Sequence, residues 1–268
     1  MINGIQLYFR LLSTSIRSQM QYRGSFVFLT IGHFLTTGIE ALGILALFDR
    51  FGNLNEWELP QVVVFYGTVN ISFALTEAFA RGFDIFGGSL VKTGEFDRVL
   101  LRPRSTAVLI AGWELQMHRL GRFLQGLVVL VLGLIHLDST FSILSFFTLL
   151  TAIIGTILFF YGVLILQATM SFWTIESLEI ANVLTYGGVE TAQYPMAIYK
   201  EDFRRFFTYV IPIACVAYFP LLPVIGIPDP LGSSRTFQHL APLVGGLFFL
   251  ASLTAWQLGV RYYKSTGT

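Results

Sequence analysis

Four polar side chains inside apolar stretches could carry chemistry. His33 and Glu40 are seven residues apart, and Asn70 and Glu77 repeat that spacing. Seven residues make about two helical turns, so each pair lies on one face of its helix. Ionisable groups within a membrane helix are costly and often mark a transport path or a proton relay. We therefore take these four as candidate translocation-path residues.

Two of the four also have a simpler interpretation. Glu77 is expected to pair with Arg81, four residues later, which would make it structural. Glu40 either lines a path or is held neutral by its apolar surroundings. These alternatives stay open at the level of the sequence.

The sequence gives little support for a metal site or for a catalytic nucleophile. Glu114 and His118 are four residues apart, but a zinc site of the H-E-x-x-H type needs a second histidine. The four histidines are scattered, and Cys215 is the single cysteine. We predict no catalytic residue, no metal site and no enzyme activity in this chain.

The stretch Gly87–Gly94 ends in Lys92-Thr93-Gly94 and faintly suggests a phosphate-binding loop. Val91 stands where such a loop requires its second glycine, and no strand precedes the stretch. The chain is therefore not expected to bind a nucleotide by this route.

The elements that position these residues follow from the composition. The 268 residues are 54% hydrophobic and 12% charged, with a mean hydropathy of +0.67. A soluble domain of this length carries about 25% charged residues. Lipid is the solvent that fits, and the net charge of +1 gives no indication of a nucleic-acid partner.

The hydropathy pattern predicts an all-α polytopic membrane protein with about six transmembrane helices, in one transmembrane domain covering residues 1–268. A span needs about 20 mainly apolar residues. The third span is short and is expected to begin earlier, near Gln116. The predicted spans are Ser25–Phe48, Pro60–Ala80, Arg122–Leu137, Phe141–Met170, Phe206–Ile225 and His239–Val260.

Basic residues predict the orientation, because cytoplasmic loops carry the excess of lysine and arginine. With both termini in the cytoplasm, 15 of the 17 basic residues fall inside, and only Arg50 and Arg235 fall outside. The same count favours an even number of spans. The expected location is a cell membrane, of the bacterial cytoplasmic type, which the chain crosses several times.

Three segments are predicted on the cytoplasmic side. Residues 1–24 hold an amphipathic helix lying on the membrane surface. Residues 81–115 form a first cytoplasmic loop, and residues 175–205 a second. Prolines crowd the fifth span and the following loop, which predicts a bent or re-entrant outer end.

The most informative stretch lies in the first cytoplasmic loop. A short amphipathic helix is predicted after a glycine, with acids in its first turn and a basic residue at its end. Phe96, Val99 and Leu100 fall on one side, ready to enter a groove on a cytosolic partner. The stretch is Gly94, Glu95, Phe96, Asp97, Arg98, Val99, Leu100, Leu101, Arg102 and Pro103.

This stretch, GEFDRVLLRP, resembles the coupling-helix signature of ABC-2 type permeases, the membrane subunits of ATP-binding cassette exporters. A second stretch is similar to the same group: Tyr194–Tyr199, Arg204-Arg205, Tyr209–Pro212 and Tyr218–Pro220. The nearest likeness is to the branch related to daunorubicin-type efflux permeases.

The resemblance implies a core of two permease subunits, as a homodimer or heterodimer, with two cytosolic ATPase subunits docked on the loops. It implies that Gly94–Pro103 contacts the ATPase, and that ATP and Mg²⁺ are bound by that partner and not by this chain. The 26 phenylalanines and the low charge favour an amphipathic or lipid-like substrate.

Two alternatives remain. An ion-coupled secondary transporter would use His33, Glu40 and Glu77 as its relay and would work without an ATPase. A lipid-modifying membrane enzyme would need a reactive cluster at one depth, and the sequence offers none.

Overall fold

The computed structural model describes residues 4–137, 141–174 and 182–265, and these residues form helices without a β-strand. The helices are α1 Gly4–Gln19, α2 Arg23–Phe51, α3 Leu59–Asp84, α4 Glu95–Leu100, α5 Thr106–Ala111, α6 Leu120–Ile135, α7 Ile143–Met170, α8 Gly188–Ala192, α9 Glu201–Arg205, α10 Ile213–Ala217, α11 Leu221–Ile225, α12 Arg235–Leu240 and α13 Leu243–Val260.

Five helical stretches within the described residues are long and apolar enough to cross a membrane. A sixth results if Glu201–Val210 and Ile213–Ile225, which are bent by 84°, count as one span. The predicted all-α polytopic membrane protein is therefore confirmed. The third span indeed begins early, with a 3₁₀ turn at Met117–Arg119 that leads into α6.

Close packing at small residues fixes the direction of two long helices. Gly155 on α7 faces Gly245 on α13. A Cβ added to Gly245 would lie 2.1 Å from the Gly155 carbonyl oxygen. Fourteen residues further along each helix, Thr169 lies against Gly259. The two helices therefore run parallel, so the chain between them must return across the bundle. The even number of crossings in the whole chain stays a prediction.

The first and last described segments both contact the region between α3 and α6, at one end of the bundle. On α1, Leu11 lies against Gly112, and Ser15 accepts a hydrogen bond from the Leu115 amide at 3.2 Å. Near the other terminus, the Ser265 hydroxyl donates to the Asp97 carboxylate at 2.6 Å. The predicted N-terminal helix thus exists and packs on the loop between α3 and α6; its place on the lipid surface stays a prediction.

The bend in the predicted fifth span lies near its beginning. Ile211 and Pro212 leave helical geometry between the π-helical turn Phe206–Val210 and α10. The sequence predicted a bent or re-entrant end for this span, and the 84° bend confirms the break; its place on the outer side of the membrane stays a prediction. Proline at this position removes a backbone donor and ends the first helical piece.

The return across the bundle starts earlier than the sequence predicted. Thr185 donates to Gln167 on α7 at 3.2 Å, and an added Cβ on Gly188 would lie 3.6 Å from the Phe160 ring. The chain from Thr185 to Gly188 therefore runs antiparallel to α7. Residues 175–181 of the predicted second cytoplasmic loop lie outside the described residues.

Two arginines of that loop lie away from α4, although the charge count predicts that they share its side of the membrane. Arg204 and Arg205 line one cavity with Asp229, and nearby Gly226 lines another with Glu58 and His136. Glu58 and His136 cap the ends of α3 and α6 that lie away from α4. A membrane core about 30 Å thick cannot separate residues of one cavity. The end of the predicted segment 175–205 therefore lies at the opposite end of the bundle from α4.

Candidate coupling surface and intramembrane polar cluster

The short helix α4 forms where the sequence predicts it. Gly94 precedes it with φ 71°, a left-handed conformation that glycine adopts without strain. Glu95 and Asp97 lie in the first turn and Arg98 in the last, which suits the helix dipole. The helix ends at Leu100, and Leu101 to Pro103 continue as exposed turns.

The apolar face of α4 is buried within this chain and is not exposed to a partner. Phe96 is fully buried and Val99 is 1% exposed within this chain. The sequence interpretation, in which both side chains enter a groove on another protein, is therefore wrong for these two. The predicted periodicity is real, but the face it creates packs on the chain itself.

Phe96 sits in an aromatic cluster that joins four parts of the chain. Its ring lies 4.9 Å from Phe86, 5.6 Å from Phe172, 6.2 Å from Trp256 and 4.9 Å from Tyr263, measured between ring centroids. We call these five residues the aromatic cluster. Phe172 lies two residues after the end of α7 and Trp256 belongs to α13, so α4 is attached to two long helices.

Polar contacts support the same attachment. The Trp256 indole donates to the Thr106 hydroxyl at the start of α5, at 3.0 Å. The Asp97 carboxylate accepts from Ser265. Burial, together with the neighbouring Asp97 carboxylate, raises the pKa of Tyr263 to about 12. Tyr263 therefore stays neutral at physiological pH, as its position among aromatic rings requires.

The opposite side of α4 and the turn after it are exposed. Leu101 is 85% exposed and Leu100 39% exposed. We call the exposed group the docking surface; it consists of Glu95, Arg98, Leu100, Leu101, Arg102 and Pro103. An exposed leucine pair ringed by charges is typical of a protein-binding surface. Leu101 belongs to the stretch predicted to contact the ATPase, but it lies off the helical apolar face that the periodicity indicated.

Glu77 lies in a buried ion-pair cluster, but its partners differ from the predicted one. Its carboxylate is 3.1 Å from Arg119 and 3.5 Å from Arg122. Arg81 instead pairs with Asp84. Asn70, fully buried on α3, accepts a hydrogen bond from Arg122 at 2.7 Å. Asn70 and Glu77 therefore hold α3 against the start of α6.

His33 and Glu40 lie on the α2 side of this region. The His33 ring stacks on His118 with centroids 5.1 Å apart. Glu40 is exposed, and its carboxylate lies 3.5 Å from the hydroxyl of Tyr66, which also donates to the Thr37 carbonyl oxygen at 2.8 Å. The structure thus brings all four predicted path residues to the α2–α3–α6 region, two of them in ion-pair packing.

The arginines of this cluster were missed as site residues. Arg119 and Arg122 are three residues apart, so they share one helical face, and they precede an apolar run. The sequence prediction used these two arginines only as cytoplasmic charges. Two arginines on one helical face also indicate a buried acidic partner.

Comparison with known proteins gives one match. A family model described as ABC-2 family transporter protein matches residues 34–267, which is more than half of the chain. No curated protein and no solved structure matches.

Proposed function

The chain belongs to the ABC-2 family of transporter proteins, and from that premise we propose that it is the permease subunit of an ATP-driven exporter. Family membership itself makes it a permease of an ABC-type transporter, embedded in a membrane by several helices. Export of an amphipathic or lipid-like substrate, by a complex with separate cytosolic ATPases, is the finer proposal.

The observation that carries the proposal is the docking surface. Leu100 and Leu101 are exposed at the end of a helix whose other side is anchored in the bundle. A surface that is both exposed and firmly attached can receive a force from a partner. The charged residues Arg98 and Arg102 add electrostatic complementarity for an acidic rim on the ATPase.

The aromatic cluster provides the route from that surface to the spans. When the ATPases close on ATP, α4 is displaced, and Phe96 passes the displacement to Phe172 at the end of α7 and to Trp256 on α13. Packed aromatic cores move as units, because interiors are nearly as dense as crystals. The step in this chain is a conformational change and not a chemical reaction.

The partners follow from the same proposal. ATP and Mg²⁺ bind to the ATPase subunits, which supply the hydrolysis. A second permease, identical or related, completes the translocation path. The exposed apolar faces of α2 and α13 suit lipid or that second subunit, and the bacterial cytoplasmic membrane is the proposed location.

The polar cluster supports a permease better than the ion-coupled alternative. A proton carrier must take up a proton and release it in turn, whereas the Glu77 carboxylate is paired with Arg119 and Arg122, whose charges oppose proton uptake. A relay through His33, Glu40 and Glu77 would therefore require this ion-pair packing to break in each cycle.

The experiment that tests the proposal is co-purification of tagged chain from its native host, in mild detergent, with identification of bound proteins. A Walker-motif ATPase should appear with the wild type and disappear with Leu101→Asp. If wild-type chain purifies without any ATPase and transport continues in the absence of ATP, the proposal is wrong.

A further inference from the structure

A cavity of about 720 Å³ lies between the bent helical pair and the loop that follows it. Arg204, Arg205 and Thr208 line it from one side, and Asp229 and Ser233 from the other. This volume lies within the range of small-molecule sites, about 300–1,000 Å³. The cavity lies at the opposite end of the bundle from the docking surface.

One arginine of this cavity has no ionic partner among the residues that the structure describes. Arg205 pairs with Glu201 at 2.6 Å on the exposed side of the helix. The half-buried Arg204 forms no ion pair with any residue that the structure describes. A guanidinium carries five donors and stays charged at any physiological pH. Arg204 is therefore the group in this cavity that is available to bind an anionic ligand.

The acid in the cavity is already satisfied by its own chain. The Asp229 carboxylate accepts from the Tyr218 hydroxyl at 3.0 Å, from the Leu231 amide at 3.0 Å and from the Ser233 amide at 2.9 Å. Three donors stabilise this negative charge and fold the loop around it. Asp229 thus shapes the wall, and its charge is compensated without Arg204.

The rest of the lining is apolar. Phe219 and Phe237 lie with ring centroids 5.1 Å apart, and Cys215 and Val244 complete this side. Val244 is in the first turn of α13, next to Leu243, which is 66% exposed. An acyl chain that leaves the cavity here would continue along an apolar helix surface. Among the described residues, the lining therefore combines a cation without an ion-pair partner, Arg204, with an apolar exit.

We propose that this cavity binds an amphiphile whose phosphate or carboxylate headgroup contacts Arg204 and whose acyl chain lies against Phe219 and Phe237. The assignment of this amphiphile as the exporter's substrate rests on the proposed function. Binding itself needs no ATPase, so it is measured separately from ATPase capture.

The test uses purified full-length chain in detergent and native mass spectrometry with equal amounts of phosphatidylglycerol and phosphatidylcholine. Wild type should retain phosphatidylglycerol preferentially. Arg204→Gln should lower that retention about tenfold or more, as expected for loss of a charge-assisted hydrogen bond. Arg204→Lys should keep most of it, and Arg50→Gln, at an exposed arginine outside this cavity, should match wild type.

Inorganic phosphate serves as the second probe, because a free anion would offer Arg204 the same chemistry. If millimolar phosphate displaces the lipid completely, the site is one for a soluble anion and the acyl part of the proposal is wrong. Equal retention of phosphatidylglycerol by wild type and Arg204→Gln, with both eluting as folded protein, would overturn the site. So would preferential retention of phosphatidylcholine by wild type.

Discussion

Phe96 and Tyr263 meet edge to face, with ring centroids 4.9 Å apart and planes at 90°. One ring belongs to the six-residue helix α4 and the other to the segment after the last span. This geometry is a favourable one for aromatic pairs. It attaches the short helix that carries the docking surface to the segment after the last span, 167 residues away in sequence.

Phe96→Ala should destabilise the protein far more than Leu101→Ala. Removing a fully buried ring costs about 3–5 kcal/mol of unfolding free energy, whereas an exposed side chain contributes within about 0.5 kcal/mol. Thermal unfolding of both variants in one detergent measures this difference. Equal stability of the two variants would contradict the packing described for α4.

Glu77→Gln should lower stability by about 3–5 kcal/mol, because it leaves Arg119 and Arg122 buried without their acid. Asp84→Asn, which breaks the more exposed pair with Arg81, should cost about 1 kcal/mol or less. Thermal unfolding again provides the measurement. A stable Glu77→Gln protein whose transport has lost its pH dependence would instead favour the proton relay.

Gly245→Ala should disrupt the packing of α7 on α13, since its Cβ would lie 2.1 Å from the Gly155 carbonyl oxygen. Such overpacking costs about 1–3 kcal/mol. Gly246→Ala is the matched control, because its Cβ would meet only Leu158, at 3.9 Å. Indistinguishable unfolding temperatures for the two variants would argue against the close contact between Gly155 and Gly245.

Asp202→Cys should be labelled from the same side of the membrane as Ser234→Cys, in a Cys215→Ala background. Both positions are exposed near the cavity that Arg204 and Asp229 share. A membrane-impermeant maleimide applied to intact cells should label both, while Ser105→Cys should react only after the cells are opened. Labelling of Asp202→Cys and Ser105→Cys together would restore the cytoplasmic placement that the charge count predicted.

The sequence predicts most of the fold because membrane spans depend on local composition. An apolar run of about 20 residues must form a helix in lipid, whatever surrounds it. Local chemistry also places α4, since a glycine followed by acids begins a helix. These features depend on neighbours along the chain, and they are the ones that the structure confirms.

Long-range partners could not be predicted in the same way. The periodicity around Phe96 indicates an apolar face but does not say that Trp256 and Tyr263 cover it. Glu77 has a local arginine at the right helical spacing, yet its partners are Arg119 and Arg122 on another helix. The charge count assumed that the chain stays in the cytoplasm until residue 205, whereas it already turns back along α7 by Thr185.

The most direct test of the central claim is ATPase capture by two matched variants. Leu101→Asp places a charge on the docking surface, and Phe51→Asp places the same charge on a side chain that is 70% exposed at the far end of α2. Tagged wild type and Phe51→Asp should co-purify a Walker-motif ATPase, with ATP hydrolysis, while Leu101→Asp should lose both and remain folded. Retention of the ATPase by Leu101→Asp at the wild-type level would contradict the assignment of this surface as the coupling site.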